Sequence, residues 1–286
     1  MLPTFLVIGA RKSGTSSLFH YLGAHPEVFV TPEKEPKYFL EEGSWHRGLA
    51  WYESLFDDAG DAKARGELST DYSIYPMYRG VPARIASLLP DVRLIYVMRH
   101  PIDRMRSCYA FGLWMGTEHR PIDEALLVDA RYAYESRYAL QIEQYLTHFP
   151  SSQLLLITAE ELRYDRAQTM QRVFSFIGVD PLLMPDTLER EFNTVDGREK
   201  PRPWARRVGD ILIRSGLDQR LPPSFQRIAS SRHLREPITA DELRIDDQLA
   251  ASLVDLLRQD LESLRRFTDP TFDCWGLLTP HDEIVL

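Results

Sequence analysis

Residues 5–18, FLVIGARKSGTSSL, constrain the fold more than any other stretch of the chain. Four apolar residues, Phe5 to Ile8, run into Gly9. A short continuous apolar run of this kind reads as a strand buried on both faces of a parallel sheet. A tight polar loop follows, Gly9 to Thr15, and then a helical pattern through Leu18, Phe19 and Leu22. Strand, glycine-bearing loop and helix N-terminus together make an anion site, because backbone N–H groups and the helix dipole converge on one point. The spacing of Gly9 and Gly14 matches the first half of a nucleoside-triphosphate loop, but such a loop sets Lys directly after the second glycine. Here Thr15 follows Gly14, and Lys12 lies two residues before it. The loop therefore calls for an anionic ligand other than ATP or GTP.

The second strong signal is VRLIYVMRHPIDRMRSCY, Val92 to Tyr109. Leu94 to Met98 read as a buried strand with Arg99 at its C-terminal end, where open α/β sheets hold their ligands. Pro101 suits the first turn of a new helix, and Asp103 favours its N-terminus. Ser107 falls eight residues after Arg99, about two turns along that helix. Arg104 and Arg106 read as helix-surface charges. Between the two signals lies TPEKEPKYF, Thr31 to Phe39, where Pro32 and Pro36 exclude a regular helix interior and hold Glu35 in a constrained loop. GELSTDYS, Gly66 to Ser73, reads as a strand end followed by a polar turn, with Ser69, Thr70 and Asp71 suited to local backbone bonds.

These motifs resemble those of the sulfotransferases that use 3′-phosphoadenylyl sulfate (PAPS), closest in pattern to the soluble, bacterial style of the heparan-type domain. RKSGTSS resembles the family's 5′-phosphosulfate loop. The resemblance assigns Arg11, Lys12, Ser13, Gly14, Thr15 and Ser16 to the nucleotide, with Lys12 also catalytic at the bridging oxygen. The Arg99 and Ser107 spacing resembles the family's grip on the ribose 3′-phosphate. Glu35, Pro36, Lys37, Tyr38 and Phe39 resemble the segment whose Glu is the catalytic base. The resemblance also makes Glu67, Asp71 and Tyr72 candidates for acceptor contact or for support of Lys12. Glu67, Asp71 and His119 stay open as alternative bases, and Ser136 and Tyr138 as nucleotide contacts. It covers Phe5 to Asp180 well and Leu249 to Trp275 weakly. It implies sulfuryl transfer from PAPS, released as adenosine 3′,5′-bisphosphate (PAP), to a hydroxyl or an amine of a carbohydrate, lipid or small-molecule acceptor, with no metal. A nucleotide kinase and a non-catalytic nucleotide-binding protein are the competing classes; the first would want Lys after Gly14 and an acidic residue in place of Arg99.

Strands at Thr4–Gly9, Val28–Val30, Ala64–Leu68, Val92–Met98 and Gln153–Ile157 alternate with helices. That order predicts an α/β three-layer sandwich with a central parallel sheet, of the P-loop-like kind. One long amphipathic helix is expected over Tyr132–Phe149, a loop over Gly112–Pro121 and a C-terminal helix over Leu249–Leu264. The chain is expected to form a single domain, 1–286, with a core at 4–180, a variable basic and Pro-rich region at 181–248 and a helix and tail at 249–286. Within 181–248, Arg198, Lys200, Arg202, Arg206 and Arg207 form a basic cluster in a chain whose net charge is −8. That net charge argues against a general nucleic-acid or anionic-membrane partner. Two cysteines, Cys108 and Cys274, make no disulfide framework, so a reduced cytoplasmic setting is expected. No apolar run approaches the ~18 residues of a membrane span, and no basic leader precedes Phe5.

Overall fold

The computed structural model describes residues 1–189, 199–202 and 235–278. These residues gather into two compact units. The first comprises the described residues of 1–104, 133–193 and 254–286; the second comprises those of 105–132 and 194–253.

The first unit holds five strands: β1 (Phe5–Gly9), β2 (Val28–Val30), β3 (Ala64–Leu68), β4 (Arg93–Met98) and β5 (Leu154–Thr158). They pair in the order β2-β3-β1-β4-β5, every neighbour parallel. Each expected strand is present to within a residue. The alternation of β1 explains the layering. Leu6 and Ile8 face one apolar core, which includes Tyr38, Phe39, Tyr52, Tyr96 and Tyr145. Phe5 and Val7 face the other, built with Leu18, Tyr21, Met170 and Phe174. The strand order reverses at β1, which sits between β3 and β4, and the C-terminal ends of strands around such a switch point are where α/β sheets bind ligands.

Helix α1 (Thr15–Gly23) follows β1, and α2 (Gly48–Ser54) and α3 (Val81–Leu88) follow β2 and β3. Helix α4 (Pro101–Met115) begins in the first unit and continues in the second. The second unit also holds α5 (Ile122–Val128) and a small antiparallel hairpin, β6 (Glu199–Pro201) with β7 (Arg235–Pro237). The expected loop over Gly112–Pro121 is half helix, because α4 runs to Met115. The Gly112 carbonyl then accepts the N–H groups of Thr117 and Glu118. Glu118 is 5% exposed and pairs with Arg120 at 2.7 Å. Burial pushes its carboxyl up, but the Arg120 guanidinium, backbone N–H groups and the Tyr132 hydroxyl outweigh that and hold it down to about 2.

The single helix expected over Tyr132–Phe149 is two, α6 (Ala130–Tyr134) and α7 (Tyr138–Leu146). Of the apolar stripe that the period predicts, Tyr134, Tyr138, Ile142, Tyr145 and Phe149, the last four are buried and Tyr134 is half-buried. The break falls at Glu135 and Ser136, which turn inward as partners for a buried arginine instead of continuing the helix. The start of α7 is capped from a distance: Asp260 accepts the N–H groups of Ala139 and Leu140. Asp260 belongs to the C-terminal helix, α10 (Asp247–Leu264), and α8 (Ala159–Tyr164) and α9 (Arg166–Ile177) precede it in the chain.

Candidate active site

The loop between β1 and α1 is shaped to receive an anion. Gly9 ends β1 where a Cβ would lie 1.9 Å from Ser73 Oγ, so no other residue fits that turn. Gly14 has φ +88°, a left-handed conformation that glycine adopts without strain. No side chain caps α1, and its first turn carries no acidic residue. The Ser17 N–H turns back to Gly14 O at 3.0 Å, and no side-chain oxygen takes the place of a cap for the N–H groups ahead of it. Ser13 Oγ is buried with no hydrogen-bond partner among the described residues. An uncapped helix, an orphaned hydroxyl and the buried Thr15 beside it fit a phosphate or sulfate group. Arg11, Lys12 and Ser16 are half-buried around the same turn.

Loop 31–39 is built differently. Glu35 has φ 60° and Lys37 has φ 53°, both costly for residues with a Cβ. Such strain persists only where the surroundings over-determine it, and here they do. The N–H groups of Thr31 and Glu35 donate to Gly66 O and Leu68 O on β3. The Lys37 N–H donates to Ser69 Oγ at 3.0 Å, and the Phe39 N–H to Tyr72 Oη at 3.3 Å. Tyr38 and Phe39 anchor the far end in the core, with Tyr38 stacked on Tyr52 at 4.1 Å. The Glu35 carboxylate stays half-buried and accepts the Thr70 hydroxyl at 3.0 Å.

Charged side chains join the two loops. Lys37 Nζ lies 3.9 Å from Glu35 Oε2 and 2.5 Å from Asp71 Oδ2. Asp71 Oδ1 lies 3.7 Å from Arg11 Nε, and Arg11 Nη1 lies 3.4 Å from Glu135 Oε1. Glu135 is held by Arg104 at 2.9 Å. Lys34 adds a second tie, from Nζ to Ser16 Oγ at the start of α1. Desolvation lowers the Lys34 pKa. At the end of β4, Arg99 Nη1 donates to the Lys12 carbonyl at 3.0 Å. Tyr138 fixes the Arg99 backbone by accepting its N–H and donating to its carbonyl.

The family model described as the sulfotransferase domain matches residues 2–195. The chain belongs to the sulfotransferase family. It is 32% identical over 192 residues to the mouse heparan sulfate glucosamine 3-O-sulfotransferase 3A1, covering 64% of this chain and 47% of that protein. It is 29% identical over 206 residues to the human bifunctional heparan sulfate N-deacetylase/N-sulfotransferase 2, covering 64% of this chain and 22% of that one. The chain thus spans about half the length of the first relative and under a quarter of the second. A sulfotransferase from Alicyclobacillus acidocaldarius shares the fold, with a TM-score of 0.70, 23% identity and coverage of 96% of this chain and 99% of that one.

Within the sulfotransferase domain, the structure joins Arg11, Asp71 and Glu35 through Lys37, holds Arg99 on the Lys12 carbonyl and ties Ser16 to Lys34. Ser107 lies on α4 in the second unit and is 7% exposed. His119 also lies in the second unit, exposed, its N–H donating to Glu118. Arg104 corrects the sequence reading. It is fully buried, not a surface charge, and its Nε donates to Ser136 Oγ at 2.6 Å. Ser136 and Tyr138 are fully buried too, holding Arg104 and the Arg99 backbone. Glu67 is 0% exposed, which removes it from direct acceptor contact. Trp275, the last residue of the weakly resembling stretch, donates Nε1–H to Glu160, which also accepts the His100 N–H beside Arg99. Of the late basic cluster, Arg198, Arg206 and Arg207 lie outside the described residues, and Lys200 is paired with Glu236 and Glu242.

Among the described residues, no helix is long and apolar enough to cross a membrane.

Proposed function

We propose that this sulfotransferase moves the sulfuryl group of PAPS to a hydroxyl of a glucosamine-containing saccharide, with an amine as the lesser alternative. The observation that carries the reading is the tie between an uncapped, anion-shaped loop and the strained loop that presents Glu35. Nucleotide and base are thereby set against each other on one side-chain chain. The saccharide is supported by the two relatives, both named for heparan sulfate.

The N–H groups at the start of α1 and the Ser13 and Thr15 hydroxyls hold the 5′ end of PAPS. Arg99 is assigned to the 3′-phosphate, with Ser107 added on the motif's spacing alone. Glu35 takes the proton from the acceptor hydroxyl as its oxygen attacks sulfur. The bond from sulfur to the bridging oxygen breaks in line, and PAP leaves with that electron pair. Lys12 neutralises the charge that grows on the departing oxygen, a contribution largest in the transition state. Lys37, between Glu35 and Asp71, keeps the acceptor side from accumulating uncompensated negative charge.

Transfer of radiolabelled sulfate from PAPS tests the reading against three acceptors: desulfated heparan, a simple phenol and a sterol. Label is expected on the polysaccharide. Label only on the phenol or sterol would keep the chemistry and remove the saccharide. PAP binding without label on any acceptor would overturn transfer to these hydroxyl classes.

A further inference from the structure

One buried acid has no part in the chemistry above. Glu67, next to last in β3, has no exposed surface, and three hydroxyls surround it. Ser69 Oγ donates to Oε2 at 2.7 Å, and Tyr72 Oη donates to Oε1 at 2.7 Å. Tyr52 Oη approaches Oε1 at 3.4 Å. Two of those hydroxyls are the ones that accept the Lys37 and Phe39 N–H groups. A carboxylate accepts and does not donate. With Glu67 ionised, Ser69 and Tyr72 turn their protons toward it and their lone pairs toward the loop. Both loop amides follow Glu35 closely, two and four residues on, in the segment where Glu35 and Lys37 have positive φ.

We infer that Glu67 is a positioning residue: through Ser69 and Tyr72 it fixes the strained backbone that presents Glu35 to the acceptor. The inference rests on the reading of Glu35 as the base, and it deepens that reading.

The titration of Glu67 supplies a signature. The groups facing it are Tyr52 on α2, Ser69 and Tyr72 in the turn after β3, Glu35 in the loop, and Tyr145 on α7. Burial pushes Glu67 up to about 7, against the pull of the Tyr72, Ser69 and Tyr52 hydroxyls, with Glu35 adding to the rise. A raised folded-state pKa stabilises the fold fully below the unfolded value of 4.5, and that contribution is lost as pH rises through about 7. The hold on the loop runs the other way. Protonating Glu67 makes it a donor, which competes with the loop amides for the same hydroxyl lone pairs. Global stability and local loop order therefore respond to pH with opposite signs.

Amide hydrogen exchange at Lys37 and Phe39, corrected for intrinsic rates, tests this on the full chain from pH 5.5 to 8.5. In the wild type, protection of both amides is expected to rise as pH passes 7. In Glu67→Gln it should be lower by about tenfold above pH 7, the scale of one buried hydrogen bond, and flat with pH. Ser69→Ala should lower Lys37 alone and Tyr72→Phe should lower Phe39 alone, while PAP affinity by calorimetry stays at the wild-type value. Loop protection that falls with pH alongside β1 and β3 would overturn the inference, as would an unchanged loop in Glu67→Gln. If Glu67→Gln does not fold, the wild-type pH series and the two hydroxyl variants decide alone. These readouts need no acceptor. A wild type that fails to transfer sulfate while showing this exchange pattern would sink the role of Glu35 and leave that of Glu67 standing.

Discussion

The β1–α1 loop and loop 31–39 are built in opposite ways. The first keeps part of its donor set open: α1 has no side-chain cap, and Ser13 Oγ is buried without a partner among the described residues, although the Ala10 and Ser13 N–H groups are bonded to Val97 O and Ala10 O. The second ties its donors off, with the N–H groups of Glu35, Lys37 and Phe39 each given an acceptor from β3 or the turn after it. An open loop can be completed by a ligand of fixed charge and shape. A closed loop can hold one side chain in a costly conformation and present it to ligands that vary. The difference fits a nucleotide common to a family and an acceptor that differs among its members. On the proposed reading, the first loop supplies most of the nucleotide's binding energy together with Lys12, and the second supplies the base.

Three experiments would break or sharpen that division. The largest effect is expected at the tie between the loops. Arg104→Met removes the 2.9 Å pair that holds the buried Glu135 and leaves the longer contact to Arg11, at 3.4 Å. Breaking a buried pair from one side costs about 3–5 kcal/mol, read as a lower midpoint in thermal or denaturant unfolding. Adding Glu135→Leu should recover most of that stability. Arg11 would still lack its second carboxylate, so turnover should stay low while the fold returns. If stability and turnover recover together, the network is scaffolding only.

Lys12→Ala should lower turnover by about a hundredfold or more, the usual scale for one lost electrostatic donor, with a smaller change in PAP affinity. Unchanged turnover with a large rise in PAPS KM would make Lys12 a binding residue and erase its share in the chemistry.

Arg99→Ala should weaken PAP by about 1.5–3 kcal/mol, as for a lost hydrogen bond to a charged group. It should spare adenosine 5′-phosphosulfate, which has no 3′-phosphate. Calorimetry on the two ligands separates the outcomes. Equal losses would mean that Arg99 works through the Lys12 carbonyl it holds, and so through the shape of the loop.

The division also explains what the sequence could reveal. The open loop was legible because its function depends on backbone: Gly9, Gly14 and the strand–helix context declare the geometry directly. All five strands were legible for a related reason, since short apolar runs buried on both faces have few other uses. The support of the closed loop was not legible. Arg104 lies one turn from the expected helix start, where an arginine most often faces water. Its partners Glu135 and Ser136 sit inside a stripe of tyrosines whose helical period runs straight across the break. Glu67 carried a motif, but only its burial among three hydroxyls separates a support from a contact. Lys34 stood in a run of charges, and nothing in that run marks the one that reaches Ser16. Each of these depends on which distant residue arrives beside it, and that is a property of the packed fold.

The separation of binding from chemistry is tested most directly by Glu35→Gln. The substitution keeps size and the bond from Thr70, yet removes the ability to accept the acceptor's proton. Turnover with labelled PAPS and PAP affinity are measured on the same preparation. Turnover is expected to fall by ~10²–10⁴, the usual range for loss of a general base, while the dissociation constant for PAP stays within about twofold, well under the tenfold that 1.4 kcal/mol represents. Retained turnover, or a parallel collapse of PAP binding, would contradict the account.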